Sequence, residues 1–301
     1  MAAGGLVEHT RRQQGWAREE APAPRRVAFQ GERGAYSEAA VISLYGRGVE
    51  AVPLPSFEQV FKAVQDGACE LGVVPIENSL AGSIHRNYDL LLEHTLHIVG
   101  EVNVRVEHQL IANPGVGLEQ VRRIYSHPQA LAQCERSLAA LAGVELVPTY
   151  DTAGSVKMIK EQGLRDAAAI ASLRAAEIYG MQVLQSHLED APDNYTRFLA
   201  LARTPVVPSG PSKTSLVFAA PNVPGSLFKM LSVFALRDID LTKIESRPLR
   251  GKPWEYLFYV DFSGDLQEER CRRAVGHLEE IATFLRVFGS YPRAPRTEQR
   301  E

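Results

Sequence analysis

The chain has 301 residues, enough for two folded domains, and its 45% hydrophobic and 23% charged residues are the composition of an ordinary globular protein. Its formal net charge is only -3 and it has no run of five or more lysines or arginines, so it lacks the electrostatic signature of a nucleic-acid or membrane-surface binder. Composition therefore predicts a protein that acts on small molecules, with no nucleic acid and no membrane as partner.

The cysteines and the apolar stretches narrow the class further. Cys69, Cys134 and Cys271 are odd in number, widely spaced and free of any C-x-x-C pair, so they predict neither a disulfide framework nor a zinc site. No apolar stretch reaches the roughly 18 residues that cross a bilayer. These features favour a reducing compartment, and we expect a cytoplasmic protein.

Residues 1–26 are predicted to be a flexible leader. The segment mixes three glutamates with arginines and ends in Ala-Pro repeats, which is typical of a disordered tail and unlike an acid-poor transit peptide.

From Val27 onward, short apolar runs alternate with amphipathic stretches. "RVAFQG", "AYSEAAVISLYG", "VEAVPLP", "SFEQVFKAVQDG" and "CELGVVPIE" predict strand, helix, strand, helix, strand, the pattern of an α/β fold with parallel pairing. The rhythm continues to residue 203, with a crossing into a second α/β lobe near Asn103 to His108, so that the second lobe spans about 104–188. Within it, "PQALAQCERSLAALAG" predicts one helix.

A segment rich in proline and serine, 204–212, is predicted to link this region to a final domain at 213–293, which is followed by a tail at 294–301. The final domain reads strand, helix, strand, strand, helix, strand, the order of a ferredoxin-like unit.

Four junctions in the first region share one design, in which an apolar strand ends in small or hydroxyl residues that open a helix: "GERGAYS", "IENSLAGS", "SHPQ" and "DTAGS". Each presents unpaired backbone amides that suit an anion, although ordinary helix capping explains the same residues. The candidates for ligand contact are Tyr36, Ser37, Glu77, Asn78, Ser126, His127, Gln129, Asp151 and Thr152.

Metal and cofactor sites are not predicted. His94 and His97 follow Glu93, but the stretch has no third ligand and no H-E-x-x-H order. No motif implies an organic cofactor.

The stretch "DNYTRF" at 193–198 places unusually varied polar chemistry on a predicted strand. Strand alternation points Asn194, Thr196 and Phe198 to one side and Tyr195 and Arg197 to the other. An arginine on a strand that continues as "FLALA" needs a partner or a ligand, because an isolated buried charge is costly. Structural and functional interpretations of Arg197 both remain open at this point.

Taken together, the motifs resemble the prephenate dehydratase family, including its plant branch of arogenate dehydratases, over nearly all of the chain from Val27 to Tyr291. Seven motifs carry the resemblance in the family's order: "GERGAYSE", "PIENSLAGSIHRNYDLL", "SHPQALAQC", "DTAGS", "AAIAS", "NYTRF" and "KIESRP".

The resemblance implies a catalytic region of two α/β lobes, similar to type II periplasmic binding proteins, and a C-terminal ACT regulatory domain. It further implies homodimers or homotetramers that bind L-phenylalanine at a subunit interface. The residues it assigns to that effector site are Pro224, Gly225, Ser226, Leu227, Phe228, Glu245, Ser246, Arg247 and Pro248.

The implied reaction removes water and carbon dioxide from prephenate, giving phenylpyruvate, or from arogenate, giving phenylalanine. Thr196 is carried over as the group at the leaving hydroxyl, within the catalytic set Thr196, Arg197 and Phe198. A hydroxyl is a weak acid, so Thr196 is expected to act through hydrogen bonds. Ser126, Gln129, Thr152, Ala153 and Arg197 are expected to hold the substrate's carboxylates, with Glu77, Asn78 and Ser79 on the other wall and Asn194 nearby.

Two features of the sequence leave alternatives open. The regulatory motif reads "GSLF", with Ser226 and Phe228, which leaves the strength and sign of the phenylalanine effect undetermined. "GSIHRNYDLLLEHTLHIVGEV" looks closer to plant arogenate dehydratases, so arogenate is an alternative substrate, and a plastid location applies if the chain is a truncated plant-type protein. A non-catalytic amino-acid sensor is a remote alternative, against which the intact "TRF" argues.

Overall fold

The computed structural model describes residues 25–141, 143–249 and 251–295, so most of the predicted leader and C-terminal tail lies outside the described residues. Within the described part, fifteen strands form three sheets. The strands are β1 (Arg26–Gln30), β2 (Glu50–Leu54), β3 (Leu71–Asn78), β4 (Gly82–Ser83), β5 (His97–Arg105), β6 (Gln109–Ala112), β7 (Arg123–Ser126), β8 (Glu145–Pro148), β9 (Ala167–Ala171), β10 (Gln182–Ser186), β11 (Tyr195–Ala202), β12 (Ser212–Ala219), β13 (Leu241–Pro248), β14 (Tyr256–Ser263) and β15 (Phe284–Pro292).

The helices of the described residues lie between these strands. They are α1 (Tyr36–Tyr45), α2 (Phe57–Gln65), α3 (His85–Glu93), α4 (Pro128–Ala132), α5 (Glu135–Ala139), α6 (Thr152–Glu161), α7 (Leu173–Tyr179), α8 (Ser226–Ala235) and α9 (Glu269–Ile281), with one 3-10 turn at Leu118–Gln120. None of the helices in these ranges is long and apolar enough to span a bilayer.

The first lobe is a sheet in the order β2-β1-β3-β11-β5, with β4 paired to β3. The strands β1, β2 and β3 pair in parallel, as their alternation with helices predicts, whereas β11 runs antiparallel to both of its neighbours. The chain leaves this sheet after β5 and returns to its middle only at β11. The strand that carries "TRF" is therefore the one that rejoins the two lobes.

The second lobe is a sheet in the order β10-β6-β9-β7-β8. Its central strand, "AAAIA", is buried on both faces, and small side chains there allow helices to approach closely. The prediction of one helix over "PQALAQCERSLAALAG" is wrong, because the helix is interrupted at Gln133, between α4 and α5. The Gln133 carbonyl accepts a hydrogen bond from the Asp190 amide (2.8 Å), a tertiary contact that sequence periodicity does not reveal.

The final domain is a four-stranded antiparallel sheet, β13-β14-β12-β15, with α8 and α9 packed on it, which is the ferredoxin-like order that the sequence predicts. Its other face packs on the first lobe, since Val217, Tyr259 and Tyr291 share one buried cluster with Ile76 and Leu199. Gly289 permits the close approach, because a Cβ there would meet the Ile98 carbonyl oxygen.

Candidate active site

Polar side chains gather where the chain passes between the two lobes. Asn78 is the last residue of β3, Thr196 is the second residue of β11, and the two residues are cross-strand partners. Thr196 is 9% exposed and Asn78 is 4% exposed, so hydrogen-bonding groups of both are largely removed from water. Buried polar groups in folded proteins are nearly always hydrogen-bonded, so the hydrogen bonds of Asn78 and Thr196 determine how the two side chains are oriented.

Asn78 organises the pair. Its Oδ1 accepts hydrogen bonds from the backbone amides of Leu80 (3.1 Å) and Ala81 (2.9 Å). Its Nδ2 donates to Thr196 Oγ1 (3.0 Å), to Asn194 Oδ1 (2.8 Å) and to the Tyr195 carbonyl (3.2 Å). Because Thr196 Oγ1 accepts from Asn78, its own hydroxyl proton is free to point at another acceptor.

Asn194 extends these contacts towards the second lobe. Its Nδ2 donates to Gln133 Oε1 (3.0 Å), which also lies 3.0 Å from His108 Nε2. His108 Nδ1 lies 3.1 Å from the hydroxyl of Tyr36, and that hydroxyl donates to the Glu107 carbonyl (2.6 Å). Tyr36, Asn78, Asn194 and Thr196, all predicted site residues, are thus brought together.

Sequence reasoning missed Gln133 and His108. Gln133 lies in the quoted motif "SHPQALAQC", but it sits at the helix break that periodicity did not indicate. His108 lies at the predicted crossing between the lobes, and a histidine at a crossing carries no recognisable motif. Burial lowers the pKa of His108, partly opposed by its hydrogen bond to Gln133.

Arg197 has different partners from those predicted. Its guanidinium donates to Glu101 (2.7 Å), to Asp261 (2.6 Å) and to the hydroxyl of Tyr291 (3.0 Å). Two of these partners belong to the final domain, on the opposite side of β11 from Thr196. The prediction that Arg197 holds a substrate carboxylate is therefore corrected, and the cause is strand alternation, which sends neighbouring side chains to opposite faces.

Glu77 shows the same alternation on β3. It is the cross-strand partner of Arg197, and its carboxylate pairs with Lys243 of the final domain (3.0 Å). Glu77 was expected on the wall of the site with Asn78, and the structure corrects this expectation. Phe198, expected among the catalytic residues, is 2% exposed in a core cluster with Val27 and Ala153 and serves packing.

Several other predicted residues act as caps or ties. Asp151 Oδ2 accepts from the amide of Gly154 (2.9 Å) and so caps α6, while His127 Nδ1 accepts from the amide of Gln129 (3.2 Å) and caps α4. These contacts match the capping interpretation that the sequence left open. The Ser79 hydroxyl donates to the Asp193 carbonyl (2.8 Å) and accepts from the Tyr195 amide (2.9 Å), which fixes the start of β11.

The remaining predicted residues of the second lobe lie near its strand ends. The Ser126 hydroxyl is fully buried and donates to the Ile170 carbonyl (2.7 Å). Thr152 and Ala153 form the first turn of α6, a ten-residue helix whose N-terminal amides suit an anion. Gln129 is exposed, and Ser37 is buried at the start of α1.

The loop "GERGA" joins the two lobes beside this site. The Glu32 amide donates to Asp151 Oδ2 (3.2 Å), and the Glu32 carboxylate pairs with Lys157 (3.1 Å). Gly34 lies at φ +91, and a Cβ there would lie 2.7 Å from the Ala175 Cα. Burial raises the pKa of Asp151, partly opposed by the amides that it accepts.

The predicted effector residues divide between two surfaces. Glu245 and Arg247 face the first lobe, where Glu245 accepts from the hydroxyl of Ser83 (2.6 Å) and Arg247 pairs with Asp89 (3.2 Å). Their predicted contact with phenylalanine stays a prediction, and both side chains already have these partners within the chain. The others lie on the outer side: Pro224, Gly225, Ser246, Pro248 and Phe228 are exposed, Leu227 is half-buried and Ser226 is buried.

Within the described ranges, no group of three His, Cys, Asp or Glu side chains could hold a metal ion. Fold and site together define a two-lobed α/β protein of the periplasmic-binding-protein type, with a hydroxyl and carboxamides between its lobes and a ferredoxin-like domain packed behind them.

Comparison with known proteins gives the family. Residues 27–206 match the family model described as Prephenate dehydratase, and residues 214–270 match the ACT domain model. The chain belongs to the prephenate dehydratase family. The chloroplastic arogenate dehydratase/prephenate dehydratase 2 of Arabidopsis thaliana is 54% identical over 278 residues, covering 89% of this chain and 72% of that protein.

Two solved structures are similar over most of their length. Prephenate dehydratase from Arthrobacter aurescens, in complex with L-Phe, has a TM-score of 0.83 and 32% identity, covering 89% of this chain and 90% of the other. A protein named GqqA, described as a novel type of quorum quenching acylase, has a TM-score of 0.83 and 37% identity, covering 91% of this chain and 100% of the other.

Proposed function

We infer that the chain is a carbon-oxygen lyase that converts prephenate to phenylpyruvate, with loss of water and carbon dioxide, in the biosynthesis of L-phenylalanine. The observation that carries the mechanism is the Asn78 to Thr196 hydrogen bond of 3.0 Å. It occupies Thr196 Oγ1 as an acceptor and leaves the hydroxyl proton available to a leaving oxygen.

The reaction requires the protein mainly to position a hydrogen-bond donor at the leaving oxygen of the substrate. As the ring hydroxyl departs with its bonding electrons, the carbon–carbon bond to the ring carboxylate breaks, and that electron pair makes the ring aromatic. One proton is consumed, since the hydroxyl leaves as water. Thr196 stabilises the charge that develops on the leaving oxygen, and Asn78 holds Thr196 in place.

The two carboxylates of the substrate need partners other than Arg197. The first turn of α6 offers the backbone amide of Ala153 at the positive end of a helix of ten residues, while the amides of Thr152 and Gly154 already donate to Asp151. We propose that this turn, with Gln129, binds one carboxylate, whereas the buried hydroxyl of Ser126 is already committed to the Ile170 carbonyl.

Arogenate is the second candidate substrate. The Arabidopsis thaliana relative carries both activities in its name, and Arogenate dehydratase 2 of Petunia hybrida is 53% identical over 283 residues. Arogenate has an ammonium where prephenate has a ketone, so preference depends on an acceptor near that atom. The chloroplastic relative also supports a plastid location as the alternative to the cytoplasm.

Turnover of the purified chain with each substrate in parallel tests the assignment, with phenylpyruvate and phenylalanine detected separately. We expect Thr196→Ala to lower kcat by about 100-fold or more, because a group that assists departure of a leaving group contributes on that order. Thr196→Ser keeps the hydroxyl and is the matched control, expected to retain most activity. Full turnover by Thr196→Ala would exclude the role of Thr196, and no product from either substrate would revive the sensor.

We propose that L-phenylalanine regulates the enzyme through the ACT domain, within a homodimer or homotetramer. The presence of the ACT domain and the L-Phe complex of the Arthrobacter aurescens relative support this. The exposed residues Pro224, Gly225 and Phe228 beside the start of α8 are the proposed contacts.

A further inference from the structure

A continuous line of side-chain hydrogen bonds runs from the second lobe to Thr196. It passes from His108 to Gln133 (3.0 Å), from Gln133 to Asn194 (3.0 Å), from Asn194 to Asn78 (2.8 Å) and from Asn78 to Thr196 (3.0 Å). Each carboxamide in such a line can be turned either way, so the directions of the bonds depend on one fixed point.

Asn78 is the fixed point. Its Oδ1 lies 3.1 Å and 2.9 Å from the backbone nitrogens of Leu80 and Ala81, which can only donate. The oxygen of the Asn78 carboxamide must therefore face these amides, and its NH₂ group must face Asn194 and Thr196.

The remaining directions follow one from the next. Since Asn78 donates, Asn194 must turn its oxygen towards Asn78 and its NH₂ towards Gln133. Gln133 must then present its oxygen, which lies 3.0 Å from His108 Nε2 as well. A lone pair on that nitrogen would face a lone pair on the oxygen, so His108 Nε2 must carry the proton.

The other ring nitrogen, His108 Nδ1, lies 3.1 Å from the hydroxyl of Tyr36. That hydroxyl donates its single proton to the Glu107 carbonyl (2.6 Å), so the tautomer follows from the contact with Gln133 and not from this one. His108 is 1% exposed, and burial in this position favours the uncharged ring. The Glu189 carboxylate accepts from the His108 backbone amide (2.8 Å), and its charge opposes in part the effect of burial on the ring.

We propose that His108, as the neutral tautomer with its proton on Nε2, is a positioning residue of the active site that anchors Gln133 and Asn194 and thereby holds Asn78 against Thr196. The expected effect of His108 on catalysis rests on the proposed function. The tautomer follows from the hydrogen bonds and does not depend on that function. His108 lies at the crossing between the lobes and Gln133 lies in the second lobe, so the line also ties the reacting hydroxyl to the relative position of the lobes.

Nuclear magnetic resonance of the full-length chain labelled with ¹⁵N in its imidazole rings tests the tautomer directly. Long-range ¹H–¹⁵N correlation distinguishes a protonated from an unprotonated ring nitrogen, and loss of one signal set in His108→Gln assigns it among the eight histidines. We expect a neutral ring protonated at Nε2. A ring protonated at Nδ1 alone, or at both nitrogens near neutral pH, would overturn the proposal.

Kinetics of three variants test the positioning role. His108→Phe removes the donor and is expected to lower kcat roughly 2- to 10-fold with little change in KM, the effect of one lost hydrogen bond. His108→Gln restores an N–H group at about the same reach and should recover part of kcat. His97→Phe is the matched control, because His97 is half-buried in the first lobe, outside the line.

Equal losses in His108→Phe and His97→Phe, or no recovery with His108→Gln, would contradict the positioning role. If the unmodified chain turned over neither substrate, the proposed function would fail while the resonance result still decided the tautomer.

Discussion

At the scale of single residues, two backbone amides decide where the hydroxyl proton of Thr196 can point. The Leu80 and Ala81 amides fix the Asn78 carboxamide, and the carboxamide in turn leaves the Thr196 proton free. An aspartate at position 78 would place an acceptor beside Thr196 and draw its proton away from the substrate. The neighbouring residues Glu77 and Arg197 perform no such function, since they face the final domain.

Four histidines predict how the free energy of unfolding depends on pH. Burial lowers the pKa of His94, His97, His108 and His127. Below about pH 6.5 the unfolded chain therefore binds protons that the folded chain does not, and the free energy of unfolding falls as the pH drops further. Urea unfolding at about pH 7.5 and about pH 5.5 should give a lower midpoint at the acidic pH, and His97→Gln should narrow the difference. An equal midpoint at both values would contradict this account.

At the scale of elements, the contact between the loop before α1 and the start of α7 sets how closely the lobes approach. Gly34 has φ +91 and leaves no room for a Cβ beside Ala175. Ser172, the N-cap of α7, donates to the Gly34 carbonyl (2.6 Å), and Arg174 pairs with buried Glu38 (3.0 Å). The lobes therefore meet through backbone as well as side chains.

Gly34→Ala tests this contact. The substitution forces a Cβ against backbone and into a left-handed conformation, so we expect a loss of stability beyond the ~1–2 kcal/mol of backbone strain, together with a lower kcat. Gly46→Ala is the matched control, because Gly46 has φ +78 and nothing within 4 Å of the added atom. Thermal unfolding and turnover of both variants are the measurements. Equal effects in the two variants would assign the loss to strain alone.

The helices and strands also show which features of the structure could be predicted from the sequence. Alternating patterns predicted the strands, the ferredoxin-like order and the crossing near His108, because hydrophobic periodicity is local. The same patterns failed where a tertiary contact decides: at the helix break beside Gln133, and at Arg197 and Glu77, whose partners come from another domain. Family motifs located Asn78 and Thr196 but not the direction in which their neighbours point.

At the scale of the whole molecule, the final domain contacts the reverse side of the catalytic strands. Asp261 forms an ion pair with Arg197, and Lys243 forms one with Glu77. Arg197 and Glu77 are cross-strand partners on β11 and β3, next to the cross-strand pair of Thr196 and Asn78. We therefore expect a shift of the ACT sheet to reach Thr196 and Asn78 through the backbones of β11 and β3.

Lys243→Met tests this transmission on the assumption that phenylalanine binds. The variant keeps the aliphatic stem but removes the ion pair with Glu77, so we expect phenylalanine to change kcat less than in the unmodified chain while still binding. Arg286→Met is the control, since Arg286 donates to the carbonyls of Leu92, His94 and Leu96 at the end of α3, away from the catalytic strands. The measurements are kcat at increasing concentrations of phenylalanine and calorimetry of phenylalanine binding, for both variants and the unmodified chain. An unchanged response in Lys243→Met would exclude this route.

The late return of β11 governs the order in which the molecule can be assembled. Residues 195–202 fill the gap between β3 and β5, so during synthesis the first lobe keeps two open strand edges until the whole second lobe has been made. Pairings so distant in sequence close slowly, and open edges invite association between chains. The strand that carries Thr196 is also the strand whose pairing completes the first sheet, so in a nascent chain Thr196 is not held against Asn78 before that sheet is complete.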